Sequence, residues 1–218
     1  MIARSKRSMR EARMAAGHEP PDPLGRWIAL IALLCLGIVL LCIWVLTRDY
    51  WIPALLASSA IGLAAGIACH EFGHMLCATL LSAQVQLVSV GIGPVLWCGR
   101  KGETRFELRA VPCAGFVRCY PPHIVNRLAR LLFLLGGVLG NVVLIGLVTV
   151  IRSAVVPDTA HDYVSPIAFV QYYLIFVNLV PFWTTVGGVR TGTDGLQILQ
   201  LACGTMSDTS SQGSKFLE

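Results

Sequence analysis

Long apolar runs alternate with short polar segments along this chain of 218 residues. Three runs contain no Asp, Glu, Lys or Arg for roughly 20 residues, the length that a helix needs to cross a bilayer. They are Trp27–Thr47, Leu131–Val150 and Tyr163–Trp183. A fourth run, from Trp51 to about Ser82, is longer and is interrupted only by ionisable residues near its inner end. The pattern predicts an all-α polytopic membrane protein with about four transmembrane helices.

The segment between the second and third of these helices has a different pattern. It reads VQLVSVGIGPVLWCGRKGETRFELRAVPCAGFVRCY, residues 85–120. Apolar and polar residues partly alternate on each side of the GRKGE turn, which predicts a β-hairpin or small sheet. The segment is apolar for a cytosolic loop. We therefore expect it at the inner membrane surface, where protein must shield its backbone from lipid.

Composition and charge agree with a membrane protein. Hydrophobic residues make up 55% of the chain and charged residues 13%, against about a quarter charged in soluble domains. The net charge of +5 comes from basic residues that flank apolar segments, as topology signals do, so we predict no nucleic-acid partner. With both termini in the cytosol, only Arg48 and Arg152 of the 17 basic residues lie outside. This asymmetry predicts a multi-pass cell-membrane protein with cytosolic termini.

Four regions follow from this pattern. Residues 1–25 form a flexible basic cytosolic tail, and residues 26–50 an extra transmembrane helix. We interpret this helix as an anchor and not as a signal peptide, because a polar tail precedes it and no small-residue cleavage site follows. Residues 51–204 form the core, and residues 205–218 a flexible C-terminal tail. The eight cysteines include no C-x-x-C pair, so we expect reduced, structural thiols.

The candidate chemistry lies in HEFGH, residues 70–74. A spacing of four puts the imidazoles of His70 and His74 on one helix face, where they can bind one zinc ion. Glu71 beside them can act as a general base for a water molecule. Ionisable residues are costly within a membrane helix and tend to mark function. The alternative is a buried polar cluster that only ties helices together.

A catalytic zinc ion needs a third protein ligand. Cys77 is about 10 Å along the helix from His70, and Glu103 and Glu107 in the hairpin are expected to be ordinary solvated charges. Asp194 remains, after the last span and at the start of a short apolar helix, with His123 as a weaker rival. Asp194 could instead cap that helix.

Two amides also lie in apolar segments. Asn141 and Asn178 could each form hydrogen bonds between helices, as is common in membranes. Beside a zinc site, either could instead hold a substrate carbonyl or its oxyanion. Three neighbouring glycines are expected to permit close helix packing; they are Gly136, Gly137 and Gly140.

At this point the chain resembles the site-2 protease family of intramembrane zinc metalloproteases, over roughly 57–201. HEFGH is similar to the family's HExxH helix, and GVLGN at 137–141 to its second core helix. GIGP at 91–94 and VPCAGFVR at 111–118 resemble its membrane-associated β segment. NLVP at 178–181 followed by DG at 194–195 resembles a motif whose Asp is the third zinc ligand. The segment 181–194 is longer than the family pattern.

The resemblance implies a zinc-dependent intramembrane endopeptidase. The implied partners are a transmembrane or membrane-tethered peptide substrate and the lipid bilayer, with a regulatory membrane partner or a second copy of the chain as further options. Two other classes stay open. One is an inactive, zinc-stabilised scaffold that binds a transmembrane partner, although structural zinc needs no general base such as Glu71. The other is a metal transporter or sensor, which would place polar groups along a path instead of at one depth.

Overall fold

The structure is a computed structural model that describes residues 51–119, 126–186 and 189–204, with scattered residues between 27 and 46. The described residues between 27 and 46 are helical, as the predicted first span requires. The predicted tails, 1–25 and 205–218, and the candidate ligand His123 lie outside the described residues.

Three helices form the frame of the molecule. They are α1 (Trp51–Leu80), α2 (Arg127–Ala154) and α3 (His161–Leu179). Two of the described helices, α1 and α2, are long and apolar enough to cross a membrane. The helix α3 ends before the predicted span does, because Pro181 disfavours helical backbone at the residue before it. Four transmembrane helices therefore remain a prediction.

Glycines bring the helices into close contact. A Cβ atom at Gly73 of α1 would overlap the carbonyl oxygen of Gly136 in α2, and one at Gly140 would overlap the carbonyl oxygen of Cys69. Small residues allow such backbone approach between membrane helices. Outward-facing apolar side chains, such as Val143 and Phe169, are 70% and 73% exposed. The packing contacts are thus on the inside of the bundle, and an apolar surface faces outward.

The predicted hairpin between α1 and α2 is confirmed. Its strands are β1 (Val85–Lys101) and β2 (Thr104–Cys119), which pair antiparallel around a turn where Gly102 has φ +59°. Residues 87–90 of β1 have partners on both sides, at 115–118 and at 105–108. The hairpin thus folds back on itself, and the 111–119 segment forms its outer strand. Val88 packs against Ala78, which fixes the sheet to α1.

A second hairpin follows α3, in the segment 181–194 that is longer than the family pattern. Its strands are β3 (Trp183–Val186) and β4 (Val189–Gly192). The β-branched residues on each side of the Gly-Gly pair are typical of a hairpin. The chain then enters α4 (Asp194–Ala202). This helix packs between α2 and α3.

Candidate metal centre

The two imidazoles of α1 meet edge to face. His70 Nε2 and His74 Nε2 lie 3.1 Å apart, and the ring planes form an angle of 87°. His74 Nδ1 donates a hydrogen bond of 2.7 Å to the carbonyl oxygen of Phe133 in α2. This bond places the proton of a neutral imidazole on Nδ1, so that Nε2 can act as a metal ligand. Sequence reasoning missed Phe133, since its backbone oxygen carries no side-chain signal.

Asp194, the first residue of α4, brings its carboxylate to the Nε2 atoms of both histidines. Its Oδ2 atom lies 3.1 Å from His70 Nε2 and 3.3 Å from His74 Nε2. The helix cap is the preceding residue, because the side chain of Thr193 accepts a hydrogen bond from Leu196 N. The alternative of Asp194 as the cap was therefore wrong, and its carboxylate is directed at the histidines.

Two contacts hold Asp194 in place. Thr193 Oγ1 donates a hydrogen bond of 2.7 Å to the carbonyl oxygen of Val180, just after α3. On the other side, Gly195 lies so close to the carbonyl oxygen of Leu179 that a Cβ atom would overlap it. The residues on both sides of the carboxylate are thus packed on the end of α3. Sequence reasoning did not assign Thr193 the role of helix cap, although Thr before a first-turn Asp is a capping signal.

The three donor atoms fit a tetrahedral zinc site. Bonds of about 2.0–2.2 Å put neighbouring ligand atoms about 3.3–3.6 Å apart, and the separations here are 3.1, 3.1 and 3.3 Å. Among the described residues, these three form the one buried group of this kind able to hold a metal ion. Burial raises the pKa of Asp194, but its contacts with His70 and His74 outweigh burial and lower the pKa to about 2. A zinc ion binds the ionised form of a carboxylate and the neutral form of an imidazole.

Glu71 lies beside this group and is buried, with 4% of its surface exposed. Its side chain packs against β2, where a Cβ atom at Gly115 would lie 2.6 Å from Glu71 Cγ and 2.7 Å from Oε1. Glycine at this position leaves the space that the carboxylate occupies. The outer strand of the hairpin thus positions the candidate base.

A cavity of about 370 Å³ opens onto the centre. Its floor is formed by the two histidines, Glu71 and Asp194. The walls come from β2, from α3 and from the second hairpin; they include Cys113–Val117, Asn178, Phe182, Thr184 and Thr191. The volume is at the lower end of that typical for small-molecule and peptide-binding pockets. The cavity therefore has room for a short stretch of extended chain beside the ligands.

Gly137 has a different role from Gly136 and Gly140 in α2. Gly136 and Gly140 contact the backbone or side chains of α1, as predicted. A Cβ atom at Gly137 would instead lie 2.5 Å from His74 Nε2 and 2.6 Å from His70 Nε2. Gly137 thus also permits close packing against α1, but its contacts there are the two imidazoles. It provides the space in which the two rings meet.

Of the two predicted amides, only Asn178 is among the described residues that line the cavity. Asn178 lines the cavity, and its Nδ2 donates to the carbonyl oxygen of Leu174 at 3.0 Å. The second N–H of that amide remains for another acceptor. Asn141 is fully buried and is not among the described residues that line the cavity. Its placement does not favour contact with a substrate.

One excluded candidate also differs from expectation. Glu107 is not a solvated charge, because it is 4% exposed and lies between Arg105 and Arg109 at 2.8 and 2.7 Å. Glu103 is exposed and pairs with Arg100 at 3.3 Å, as an ordinary surface charge does. Folding of the hairpin over itself buries the former and leaves the latter at the turn.

Part of the chain is similar to known zinc metalloproteases. Residues 58–157 match the family described as Peptidase family M50. The zinc metalloprotease Rip1 of Mycobacterium tuberculosis is 42% identical over 57 residues, which are 26% of this chain and 14% of that protein. A putative zinc metalloprotease of Clostridium perfringens is 42% identical over 69 residues, which are 32% of this chain and 19% of that protein. A putative zinc metalloprotease of Nostoc sp. is 42% identical over 64 residues, which are 29% of this chain and 17% of that protein.

The chain thus spans less than a fifth of the length of these curated relatives. The family match includes HEFGH and Asn141 and ends before Asp194. The geometry adds Asp194 to the histidines independently of that match, since its carboxylate oxygen lies within 3.3 Å of both. Residues 58–157 are thus similar to peptidase family M50, and the names of the relatives support the resemblance to the site-2 protease family.

Proposed function

We propose that this chain is a zinc-dependent intramembrane endopeptidase that cleaves a transmembrane or membrane-tethered peptide near the cytosolic face. One observation carries the proposal. His70, His74 and Asp194 converge within 3.3 Å on a cavity that also contains Glu71. The family and the names of the relatives support zinc as the ion.

The side chains of the cavity supply the parts of peptide hydrolysis. Zinc, when bound, polarises a carbonyl and lowers the pKa of a water molecule. Glu71 accepts a proton from the attacking water and passes it to the leaving amine. Asn178 lines the cavity, and the second N–H of its amide can donate to the developing oxyanion. Burial of the site excludes competing bulk water and strengthens these interactions.

The outer strand of the hairpin can present the substrate. A helical substrate hides its carbonyl groups in its own hydrogen bonds, so it must unwind before cleavage. Within the part of the chain that the structure describes, residues 111–119 of β2 pair with β1 on one edge only. Residues Cys113–Val117 of this strand line the cavity. An unwound substrate segment can pair with the open edge as an added strand, with its peptide bonds near Glu71.

The placement in the membrane is part of the proposal. The two long apolar helices support a membrane location, and the distribution of Lys and Arg supports cytosolic termini. We propose four spans, with residues 26–50 as an added helix and 51–204 as the protease core. Reporter fusions at the loop 155–160 and at both termini test this topology. A cytosolic loop signal at 155–160 would rule it out.

A Glu71→Gln variant tests the chemistry and separates an enzyme from a scaffold. Glutamine keeps the shape of the side chain but cannot accept the proton, so we expect zinc content to persist while cleavage of a co-expressed substrate stops. His70→Ala is the control, because it removes a ligand and should lower zinc content itself. Continued cleavage by Glu71→Gln refutes the mechanism. Zinc content that His70→Ala leaves unchanged refutes the site.

The same variant can identify substrates. Glu71→Gln should retain bound peptides that the active enzyme would release, so cross-linking followed by mass spectrometry compares the two forms. We expect membrane-tethered sequences enriched on the variant alone. Equal recovery on both forms would favour a scaffold, because a scaffold has no turnover to block.

A further inference from the structure

Four buried side-chain atoms of Asn141, Gln171 and His70 have no hydrogen-bond partner among the described residues. They are the Asn141 side chain in α2, for both Nδ2 and Oδ1, Gln171 Oε1 in α3, and His70 Nδ1 in α1. Asn141 and Gln171 are both 0% exposed. An unpaired buried polar group is costly, and most such groups in native proteins have partners. Four such atoms on three adjoining helices therefore need an explanation.

Glycine contacts relate these groups to the turn of α1 that carries His70. A Cβ atom at Gly137 would overlap Cε1 of the His70 ring and lie 2.6 Å from its Nε2, and Cε1 is bonded to both ring nitrogens. Asn141 follows Gly137 by one helical turn on the same face of α2, and helical side chains lean toward the N-terminus of their helix. This spacing places Asn141 on the face of α2 that meets the His70 ring at Gly137.

The amide of Gln171 has a defined orientation. Its Nε2 donates to the carbonyl oxygens of Gly62 and Ile167, at 2.8 and 3.0 Å. Its Oε1 consequently lies against Gly66, where a Cβ atom would overlap it. Gly66 is one turn before His70 in α1. The unpaired oxygen of Gln171 therefore lies next to the turn that carries the ligand.

The unpaired atoms match as donors and acceptors. With His70 Nε2 bound to a metal ion, the proton of the neutral ring is on Nδ1, which becomes a donor. We propose that Asn141 is a positioning residue: its Oδ1 accepts from His70 Nδ1 and its Nδ2 donates to Gln171 Oε1. Each link is direct after a small side-chain rotation or passes through one water molecule. The two links use all four unpaired atoms.

This arrangement gives both histidines an anchor on α2. His74 is held by the carbonyl oxygen of Phe133 at 2.7 Å, and Asn141 holds His70 in the same way. Such partners fix the ring orientation of a metal-bound histidine and raise its basicity, and their loss typically weakens metal binding about 10- to 100-fold. The inference rests on the proposed metal site, and it places Asn141 behind the ligands instead of at the substrate.

Zinc affinity and folding stability of three variants test the inference. Asn141→Leu removes both links at similar volume, so we expect the zinc dissociation constant, measured by competition with a chelating dye, to rise about 10- to 100-fold. Asn141→Asp keeps an acceptor for His70 Nδ1 and should bind zinc at least as tightly as the wild type. Val148→Ala is the matched control: Val148 is buried in α2 two turns further on, and its truncation should lower the melting temperature without changing zinc affinity.

Cobalt-substituted protein gives a second readout, because its visible spectrum reports the ligand geometry. We expect Asn141→Leu to shift the spectrum and Val148→Ala to leave it unchanged. Gln171→Leu should weaken zinc binding, with little further loss when it is combined with Asn141→Leu, since Gln171 acts through Asn141.

Three results would overturn the inference: wild-type zinc affinity in Asn141→Leu, an equal loss of affinity in Val148→Ala, or equally weak binding by Asn141→Asp and Asn141→Leu. If Asn141→Leu does not fold, the comparison of Asn141→Asp and Gln171→Leu decides, and no loss in the latter counts against the link. A wild-type protein that binds no zinc would defeat the proposed function itself.

Discussion

Replacing Gly137 by alanine adds one methyl group at the point where the two imidazoles meet. The new Cβ atom would lie 2.5 Å from His74 Nε2 and 2.6 Å from His70 Nε2. Non-bonded heavy atoms prefer about 3.5–4.0 Å. Either the rings or α2 must therefore move by about 1 Å. The close backbone contacts of Gly136 and Gly140 with α1 resist movement of α2, so the rings take up most of the displacement.

A shift of this size should weaken zinc binding much more than it lowers the free energy of unfolding. Zinc ligands tolerate about 0.2 Å of misplacement, so we expect at least one imidazole to be lost as a ligand. A loss of about 2.7 kcal/mol corresponds to about 100-fold weaker binding, which we take as the minimum. Overpacking costs about 1–3 kcal/mol, and alanine favours a helix interior over glycine by about 1 kcal/mol. Stability without zinc should thus fall by about 2 kcal/mol or less.

Metal analysis and thermal unfolding of the purified protein measure the two effects. Gly146→Ala is the matched control, because it lies in the same helix and a Cβ atom there meets nothing within 4 Å. We expect Gly146→Ala to retain zinc and Gly137→Ala to lose it. A folded Gly137→Ala protein with wild-type zinc affinity would refute the placement of the rings against this glycine.

Three further substitutions probe other parts of the core. Gly115→Ala places a methyl group 2.6 Å from Glu71 Cγ, so the cleavage rate should fall while zinc content stays constant. A parallel loss of zinc would contradict the prediction that Gly115 acts on Glu71 and not on the metal ligands. Thr193→Val removes the helix cap and the 2.7 Å hydrogen bond to Val180, which should cost about 1 kcal/mol of stability and weaken zinc binding through Asp194. Thr193→Ser should retain the wild-type stability and zinc affinity. Unchanged zinc affinity in Thr193→Val would limit the residue to capping. Glu107→Leu leaves the partly buried Arg105 and Arg109 without the carboxylate that they contact, so the free energy of unfolding should fall by about 3 kcal/mol. A change below about 1 kcal/mol would show that water or other groups compensate.

The sequence was sufficient for those parts of the site that depend on one helix. The spacing of His70 and His74 predicts a shared face, and ionisable residues in an apolar run suggest a function. Asp194 could be selected by elimination, but not its geometry. That geometry depends on Thr193 and Gly195, which pack against the end of α3, and such contacts between distant segments do not appear in local patterns.

Other features depend on which neighbour each face meets. Gly136 and Gly140 share one face of α2, while Gly137 and Asn141 share the adjacent face. The sequence shows both faces but not that the second one meets the imidazoles. Glu107 is similar, because alternation along a strand predicts an exposed face unless the hairpin folds over it. The second hairpin could have been predicted, since β-branched residues flank its Gly-Gly pair.

The long separation of the ligands along the chain has a consequence during protein synthesis. His74 and Asp194 are 120 positions apart (194 − 74). At about 5–20 residues per second, a ribosome needs about 6–24 s to pass from one to the other. Throughout that interval the nascent polypeptide has the candidate histidine pair and candidate base but not the candidate carboxylate ligand. The proposed three-residue metal centre can therefore be completed only after Asp194 has been translated.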